Sequence, residues 1–197
     1  MRRLALALVT SLIPGFALAT PAILPTRDVS VTYTLSTPGQ PAQTLTLSYN
    51  AAQELARVTS AYGYYVLVDL PAGHAQLVIP TLHAIIQAPD FSALSTTFFK
   101  AENNARFTPL GKAHYAGLSC EIYQVTDEKA TARACLTIDG VILHFSGHDS
   151  HGTAEVTAKS VSYTPQPTDQ FEPPAGLIPL NLPPGAIAAL LAQQATK

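Results

Sequence analysis

Residues 115–145 read YAGLSCEIYQVTDEKATARACLTIDGVILHF, and this stretch decides the fold. It contains both cysteines of the chain, Cys120 and Cys135, and an Asp139-Gly140 pair flanked by alternating apolar residues. An Asp-Gly pair in such a setting is a strong β-hairpin signal, because both turn positions must accept positive φ. The stretch therefore predicts three antiparallel strands joined by one disulfide.

The register of the hairpin follows if Asp139-Gly140 is a two-residue turn. One face is then apolar throughout, with three cross-strand pairs: Ile138 opposite Val141, Leu136 opposite Leu143, and Ala134 opposite Phe145.

The two cysteines give a second constraint on the register. If Cys120 lies across from Cys135, the preceding strand adds Tyr123 and Val125 to the apolar face, with Glu121 as the exception. The disulfide is then expected on the less apolar face, where it would link neighbouring strands instead of filling the core. Closing this loop is worth roughly 3 kcal/mol in the chain-entropy model.

Residues 1–19 are predicted to be a secretory signal peptide. Arg2 and Arg3 precede an apolar run, and the segment ends in an Ala-Leu-Ala cleavage site at Ala19. The run is too short to span a bilayer. Export to an oxidising compartment allows two cysteines to pair. We therefore expect a soluble periplasmic protein, released by cleavage near Ala19.

The remaining chain is predicted to form a single β domain over residues 20–182, followed by a tail over residues 183–197. Without Arg2 and Arg3, nine of the 11 Lys plus Arg stand against 13 Asp plus Glu, a net charge of about minus four. The basic surface of a nucleic-acid-binding protein is not expected.

Alternating apolar and polar residues predict a β meander before the hairpin. Val29, Val31 and Tyr33 alternate with serine and threonine in the clearest of these strands, over residues 28–36. Further strands are predicted over residues 44–49, 54–59, 64–68, 75–79, 82–86 and 105–112, and one follows the hairpin over residues 153–163.

Two short helices are predicted. The first covers Asp90 to Lys100, where Asp90 caps the start and Phe91, Leu94 and Phe98 share one face. The second covers residues 185–194, which carry a one-sided apolar stripe. Prolines between residues 165 and 179 rule out continuous ladder pairing, so that segment is expected to wrap an edge or an end of the sheet.

Three motifs carry a resemblance to a known superfamily. They are Gly117-x-x-Cys120-x-x-Tyr123-x-Val125, Cys135-x-x-x-Asp139-Gly140-Val141 and Phe171-x-Pro173-Pro174-x-Gly176. Together they resemble proteobacterial periplasmic proteins of unknown function that are similar to the LolA/LolB lipoprotein-carrier superfamily. The resemblance implies a single curved antiparallel sheet, a half-open barrel whose concave apolar face is covered by one or two short helices. In the carriers, the cavity of this half-open barrel receives lipoprotein acyl chains.

The expected function is that of a non-enzymatic binding protein that shields a lipid or acyl chain in the concave face of the sheet. The alternative is a structural or interaction module of the cell envelope with a filled core. No catalytic motif stands out, no cofactor or membrane span is expected, and no partner protein is indicated. The candidate cavity residues are Tyr33, Leu47, Tyr64, Val66, Phe91, Leu94, Phe98, Tyr123, Leu136, Leu143 and Phe145.

A metal site is the third possibility. His144, His148 and His151 lie close together in the sequence, and imidazole suits zinc, copper or nickel. Their spacing matches no established ligand pattern, and a solvated loop between two strands explains them more simply. The wide spacing of the cysteines favours a structural disulfide over a redox-active one.

Overall fold

The computed structural model describes residues 20–87, 105–126, 131–149, 152–183 and 186–187, with residues 148, 149 and 152 described by their backbone only. These residues are mainly β, as predicted. The strands are β1 Val29–Ser36, β2 Gln43–Asn50, β3 Leu55–Ser60, β4 Tyr65–Asp69, β5 His74–Ile79, β6 Ala84–Gln87, β7 Arg106–Tyr115, β8 Leu118–Thr126, β9 Thr131–Leu136, β10 Ile142–Asp149, β11 Gly152–Ser162 and β12 Ile178–Leu180. Two 3₁₀ turns cover Pro80–Leu82 and Thr168–Phe171.

All twelve strands form one curved sheet that does not close. Their order is β12-β6-β5-β4-β3-β2-β1-β11-β10-β9-β8-β7. Strand β1 joins the two halves of the chain, because it pairs with β2 on one side and with β11 on the other. The strands predicted from period-two patterns are all present, with bounds shifted by a few residues.

One edge of the sheet differs from the expectation of purely antiparallel pairing. The short strand β12 runs parallel to β6, whereas every other neighbouring pair is antiparallel. The expectation was wrong at this edge because three residues containing Pro179 show no alternation that could reveal a strand.

The two faces of the sheet differ in composition. Val31, Leu47, Val58, Val66 and Leu77 are successive cross-strand partners from β1 to β5, so their side chains lie on the same side. We call this side the apolar face and the other the opposite face. Val31 and Leu77 are fully buried.

The β9–β10 hairpin turns over three residues instead of two. The Thr137 amide donates to the Val141 carbonyl over 2.9 Å, and the Gly140 amide donates to the Thr137 carbonyl over 3.1 Å. Gly140 has a φ of +84°. Ile138 is fully exposed in the loop, so its predicted pairing with Val141 is wrong.

A second irregularity compensates for the longer turn. Leu136 pairs with Ile142 instead of the predicted Leu143, and the register shifts between Ile142 and His144. Beyond that shift Ala134 faces Phe145, as predicted. The shift offsets the longer turn, so the predicted register is correct from Ala134 and Phe145 onward.

The disulfide between Cys120 and Cys135 is present, with the two Cα atoms 5.4 Å apart. The direct partner of Cys135 on β8 is Ile122, so the predicted pairing of the cysteines is displaced by two residues. A shift of two keeps every side chain on its predicted face, and Tyr123 accordingly lies on the apolar face opposite Ala134.

The expectation that the disulfide lies outside the core is wrong. Cys120 and Cys135 are only 4% and 1% exposed and belong to the main hydrophobic cluster. Ala113 and Tyr115 of β7 pack against the same cluster. Strand β7 at the edge of the sheet therefore helps to bury the disulfide, which the alternation of apolar and polar residues had placed outside the core.

Residues 164–180, which we call the strap, contact β2 and β3 and then pair with β6 at the edge of the sheet, where the prolines predicted that the segment would wrap. Gln166 is buried, its amide donates to the Asp28 carboxylate over 2.7 Å, and its carbonyl accepts from the Asn50 side chain over 2.7 Å. Further along, Arg57 donates to the Gln170 carbonyl over 3.1 Å. These bonds fix the strap to β2 and β3.

The strap passes from one face of the sheet to the other. Leu177 packs against Tyr65, Leu67 and Val78 on the opposite face. After β12, Ile187 packs against the apolar face. The chain therefore wraps the β6 edge.

Of the two predicted helices, Asp90 to Lys100 lies outside the described residues, and within 185–194 only Ala186 and Ile187 are described, both helical. No helix among the described residues is long and apolar enough to cross a membrane.

Candidate binding face of the sheet

The eight described candidate residues lie on the apolar face. Leu47 and Val66 belong to the row that defines this face, and Tyr33 faces Leu45, two residues along β2. Tyr123, Ala134 and Phe145 are successive partners across β8, β9 and β10. Tyr64 and Leu136 follow from strand alternation, and Leu143, which lies at the register shift in β10, packs in one cluster with Tyr33. Phe91, Leu94 and Phe98 lie outside the described residues.

Burial divides these eight residues into two groups. Tyr33, Val66, Leu136 and Leu143 are buried. Leu47, Tyr64, Tyr123 and Phe145 remain partly exposed. The partly exposed residues can therefore contact a ligand, whereas the buried residues pack beneath the surface of the apolar face.

A strip of small residues runs across the apolar face beside these aromatic side chains. Ala132 of β9, Gly147 of β10 and Ala154 of β11 are direct cross-strand partners. A Cβ on Gly147 would lie 3.0 Å from the Phe145 ring and 3.4 Å from the Ala132 Cβ. We call these three residues the small-residue strip. The Phe145 ring therefore lies over Gly147, while Ala132 and Ala154 remain partly exposed.

Aromatic and branched side chains border the small-residue strip. Val125 is the partner of Ala132, and Phe107 is the partner of Val125. Phe107 meets Tyr123 edge to face, with ring centroids 6.0 Å apart. Sequence reasoning missed the strip, because alanine and glycine carry no pattern of their own, and only the cross-strand register brings them together.

Ile187 covers a different part of the apolar face. Ile187 is 8% exposed and joins a cluster with Val66, Leu77, Ile79 and Ile86. These partners belong to β4, β5 and β6, at the end of the sheet away from the small-residue strip. Ile187 therefore covers this end of the apolar face.

A pocket of about 400 Å³ adjoins the other end of the apolar face. Its lining combines the N-terminal segment, the β7–β8 hairpin and the β9–β10 turn: Thr20, Pro21, Ala22, Lys112, Ser119, Cys120, Glu121, Tyr123, Leu136, Thr137 and Ile138. The Tyr123 hydroxyl donates to the Glu121 carboxylate over 3.1 Å. Burial, followed by this bond, raises the pKa of Tyr123. Tyr123 is shared between the pocket and the border of the small-residue strip.

Tyr33 has a structural role. Its hydroxyl donates to the Ile142 carbonyl over 2.8 Å, which joins β1 to β10 across β11. Burial raises the pKa of Tyr33 far above its ordinary value. The side chain therefore stays neutral, and its hydrogen bond holds β1 and β10 in place.

The histidine candidates divide between described and undescribed side chains. His144 lies on the opposite face, partner to Cys135, and its ring stacks on Tyr115 at a centroid distance of 4.9 Å. Its Nδ1 lies 3.1 Å from the Thr157 hydroxyl. The side chains of His148 and His151 lie outside the described part. The described residues contain no group of three or more His, Cys, Asp or Glu that could hold a metal ion.

Comparison with known proteins identifies the fold and not a family. No family model and no curated protein matches the chain in sequence. An uncharacterized conserved protein from Thermus thermophilus is 11% identical, covers 80% of this chain and 91% of its own, and has a TM-score of 0.57. A chain of the Pseudomonas aeruginosa MucA/MucB complex is 15% identical, with coverages of 80% and 62% and a TM-score of 0.53.

A LolA superfamily protein from Nitrosomonas europaea is also similar, at 10% identity, coverages of 76% and 92%, and a TM-score of 0.40. The curved, open sheet that the resemblance implied is present. The Thermus thermophilus protein and the MucA/MucB chain, both with TM-scores above 0.5, share this fold. Sequence identities this low show a shared architecture and do not show a shared function.

Proposed function

We propose that this protein is a non-enzymatic periplasmic binding protein that shields a lipid or acyl chain on the apolar face of its sheet. The observation that carries the proposal is the small-residue strip, bordered by the partly exposed side chains of Phe107, Tyr123 and Phe145. Partly exposed alanines beside aromatic side chains offer an apolar surface that suits a flexible chain of methylenes. The buried Cys120–Cys135 bridge supports an oxidising compartment.

The energetics set a lower limit on ligand length. Covering one methylene contributes about 0.8 kcal/mol, whereas association costs at least about 4 kcal/mol in lost freedom. A chain with roughly 15 covered methylenes is therefore needed for micromolar affinity. Each additional covered methylene should tighten binding about fourfold.

A second candidate is a structural or interaction module with a filled core. The burial of Tyr33, Val66, Leu136 and Leu143 and the docking of Ile187 favour it. The two functions differ in one property, which is whether a ligand binds to the partly exposed aromatic side chains beside the small-residue strip.

The test is a series of uncharged ligands with increasing chain length, measured by displacement of a neutral fluorescent probe from the purified mature protein. Lipid extracts of protein isolated from the periplasm are analysed by mass spectrometry in parallel. A binding protein gives affinities that rise with chain length. If no chain length binds and the extracts are empty, the module with a filled core is the correct function.

A matched pair of variants locates the site. Ala132→Leu fills the small-residue strip between Val125 and Gly147 and should weaken binding of a long chain at least tenfold. Ser160→Leu adds the same side chain at an exposed position on the opposite face and should leave binding unchanged. Equal effects of both substitutions would contradict the assignment of the site to the apolar face.

A further inference from the structure

The pocket beside Tyr123 differs in chemistry from the apolar face that it adjoins. Lys112, Glu121 and Leu136 are successive cross-strand partners on β7, β8 and β9, so their side chains share the apolar face. Ser119 lies two residues before Glu121 on β8 and therefore has the same orientation. The pocket thus adds an ammonium group, a hydroxyl and a carboxylate to the end of a surface that is otherwise apolar.

The two charges of the pocket are not equivalent. The Glu121 carboxylate already accepts a hydrogen bond from the Tyr123 hydroxyl over 3.1 Å. Lys112 is exposed, and although it lies opposite Glu121, the two form no ion pair within 4.0 Å in the described part of the chain. The ammonium group is therefore available to an incoming anion, while the carboxylate is engaged inside the protein.

The N-terminal segment forms the remaining wall of the pocket. Thr20, Pro21 and Ala22 line it, and the segment is fastened to the β9–β10 turn by the bond from the Thr26 amide to the Asp139 carbonyl, 2.9 Å long. The Ala22 Cβ would lie 3.3 Å from a Cβ on Gly140, so this wall of the pocket packs against the β9–β10 turn. Its volume of about 400 Å³ exceeds that of a single carboxylate or phosphate group.

We propose that this pocket binds the anionic head of an amphiphile whose hydrocarbon chain lies on the small-residue strip. Lys112 supplies the charge that recognises a carboxylate or phosphate, and Tyr123 marks the junction between head and chain. The Ser119 hydroxyl lies 2.8 Å from His114 Nε2 and is held at the pocket wall by that contact. This inference rests on the proposed function, because it names the class of ligand for that site.

The experiment compares two fluorescent ligands with the same chain, cis-parinaric acid and its uncharged methyl ester, at low and high ionic strength. The full-length mature protein should bind the acid about two- to fivefold more tightly than the ester at low salt. The preference should disappear at about 1 M salt, where the Debye length is about 3 Å. Inorganic phosphate alone should not displace the acid at millimolar concentration.

Three variants test the roles of the charges. Lys112→Met should remove the preference for the acid over the ester. Glu121→Gln should increase the preference, because it removes a negative charge from the pocket. Lys159→Met removes the same charge as the first variant at an exposed position on β11, outside the pocket lining, and should change nothing.

The outcomes separate the two hypotheses. If acid and ester bind equally to the unmodified protein, the pocket is not a head-group site, but the proposed function stands. If neither ligand binds, both hypotheses fail. If phosphate alone displaces the acid, the pocket recognises a free anion and the amphiphile is the wrong ligand class. A loss of preference in Lys159→Met equal to that in Lys112→Met would assign the effect to net charge and overturn the proposal.

Discussion

Arg27 Nε donates a hydrogen bond of 2.7 Å to Oδ2 of Asp139, 112 residues further along the chain. The same carboxylate accepts from the hydroxyls of Thr137 and Tyr163. The Arg27 guanidinium lies 3.5 Å from the centre of the Tyr163 ring. The turn of the β9–β10 hairpin is therefore the point at which the segment before β1 and the residue after β11 are joined.

Replacing Asp139 with Asn should change how stability depends on pH. Burial alone would raise the pKa of Asp139, but hydrogen bonds from Thr137, Arg27 and Tyr163 outweigh it, and the pKa is lowered. A lowered pKa stabilises the folded state above the ordinary pKa of 3.8, and this contribution is lost as the pH falls through the folded-state pKa. At neutral pH we expect the substitution to cost about 1 kcal/mol, or roughly 2 to 4 °C in Tm.

The measurement is thermal unfolding of both proteins between pH 2 and 7. Below about pH 4 the difference in Tm between the original protein and Asp139→Asn should narrow, because protonation removes the same charge. A constant difference across the whole range would mean that the Asp139 charge contributes nothing.

Gly140 should tolerate alanine far less well than Gly176. Both have positive φ, +84° and +81°. A Cβ on Gly140 would lie 2.2 Å from the Leu24 carbonyl oxygen, whereas a Cβ on Gly176 meets nothing within 4 Å. Gly176→Ala should therefore cost only the strain of the left-handed conformation, about 1 to 2 kcal/mol. Gly140→Ala should cost at least twice as much, and equal unfolding midpoints in urea would refute the close approach of Leu24.

The hairpin turn illustrates which part of the fold could be predicted from sequence. The alternation of apolar residues and the Asp-Gly signal identified the strands and their faces correctly. The loop length was wrong, because Asp139 bonds to Arg27 and Gly140 packs under Leu24, both distant in sequence. Local turn statistics contain no information about such partners.

The candidate site was predictable to the same degree. Strand alternation placed Leu47, Tyr123 and Phe145 on one face, because side-chain orientation depends only on counting by two. The small-residue strip and the role of Lys112 required the strand order of the whole sheet. Pairing of β1 with β11 joins segments more than 100 residues apart, and no local pattern specifies it.

Replacing both cysteines with alanine should destabilise the protein without abolishing the fold. The chain-entropy model gives about 3 kcal/mol for closing a loop of this size, and the 15-residue separation fits it. Because both sulfurs are buried in the main cluster, a further loss of packing is expected. In the unmodified protein, reducing agent should act only after denaturant is added. Free reaction with a thiol reagent in native, unreduced protein would show that the bridge does not form.

The last prediction concerns the contact between Ile187 and the apolar face. Ile187 packs on Val66, Leu77 and Ile86, and its burial contributes at most about 1.5 to 3 kcal/mol, less at a chain terminus. A contact of this strength can be displaced by a ligand that covers the same patch.

Ile187→Asp places a carboxylate against aliphatic side chains and should detach the tail, so binding of a neutral fluorescent probe should increase. Deleting residues 184–197 should have the same effect, with an unchanged β-sheet spectrum by circular dichroism. Ile187→Leu keeps the apolar contact and serves as the control. If the truncated protein binds no more probe than the full chain, the tail does not compete for the apolar face.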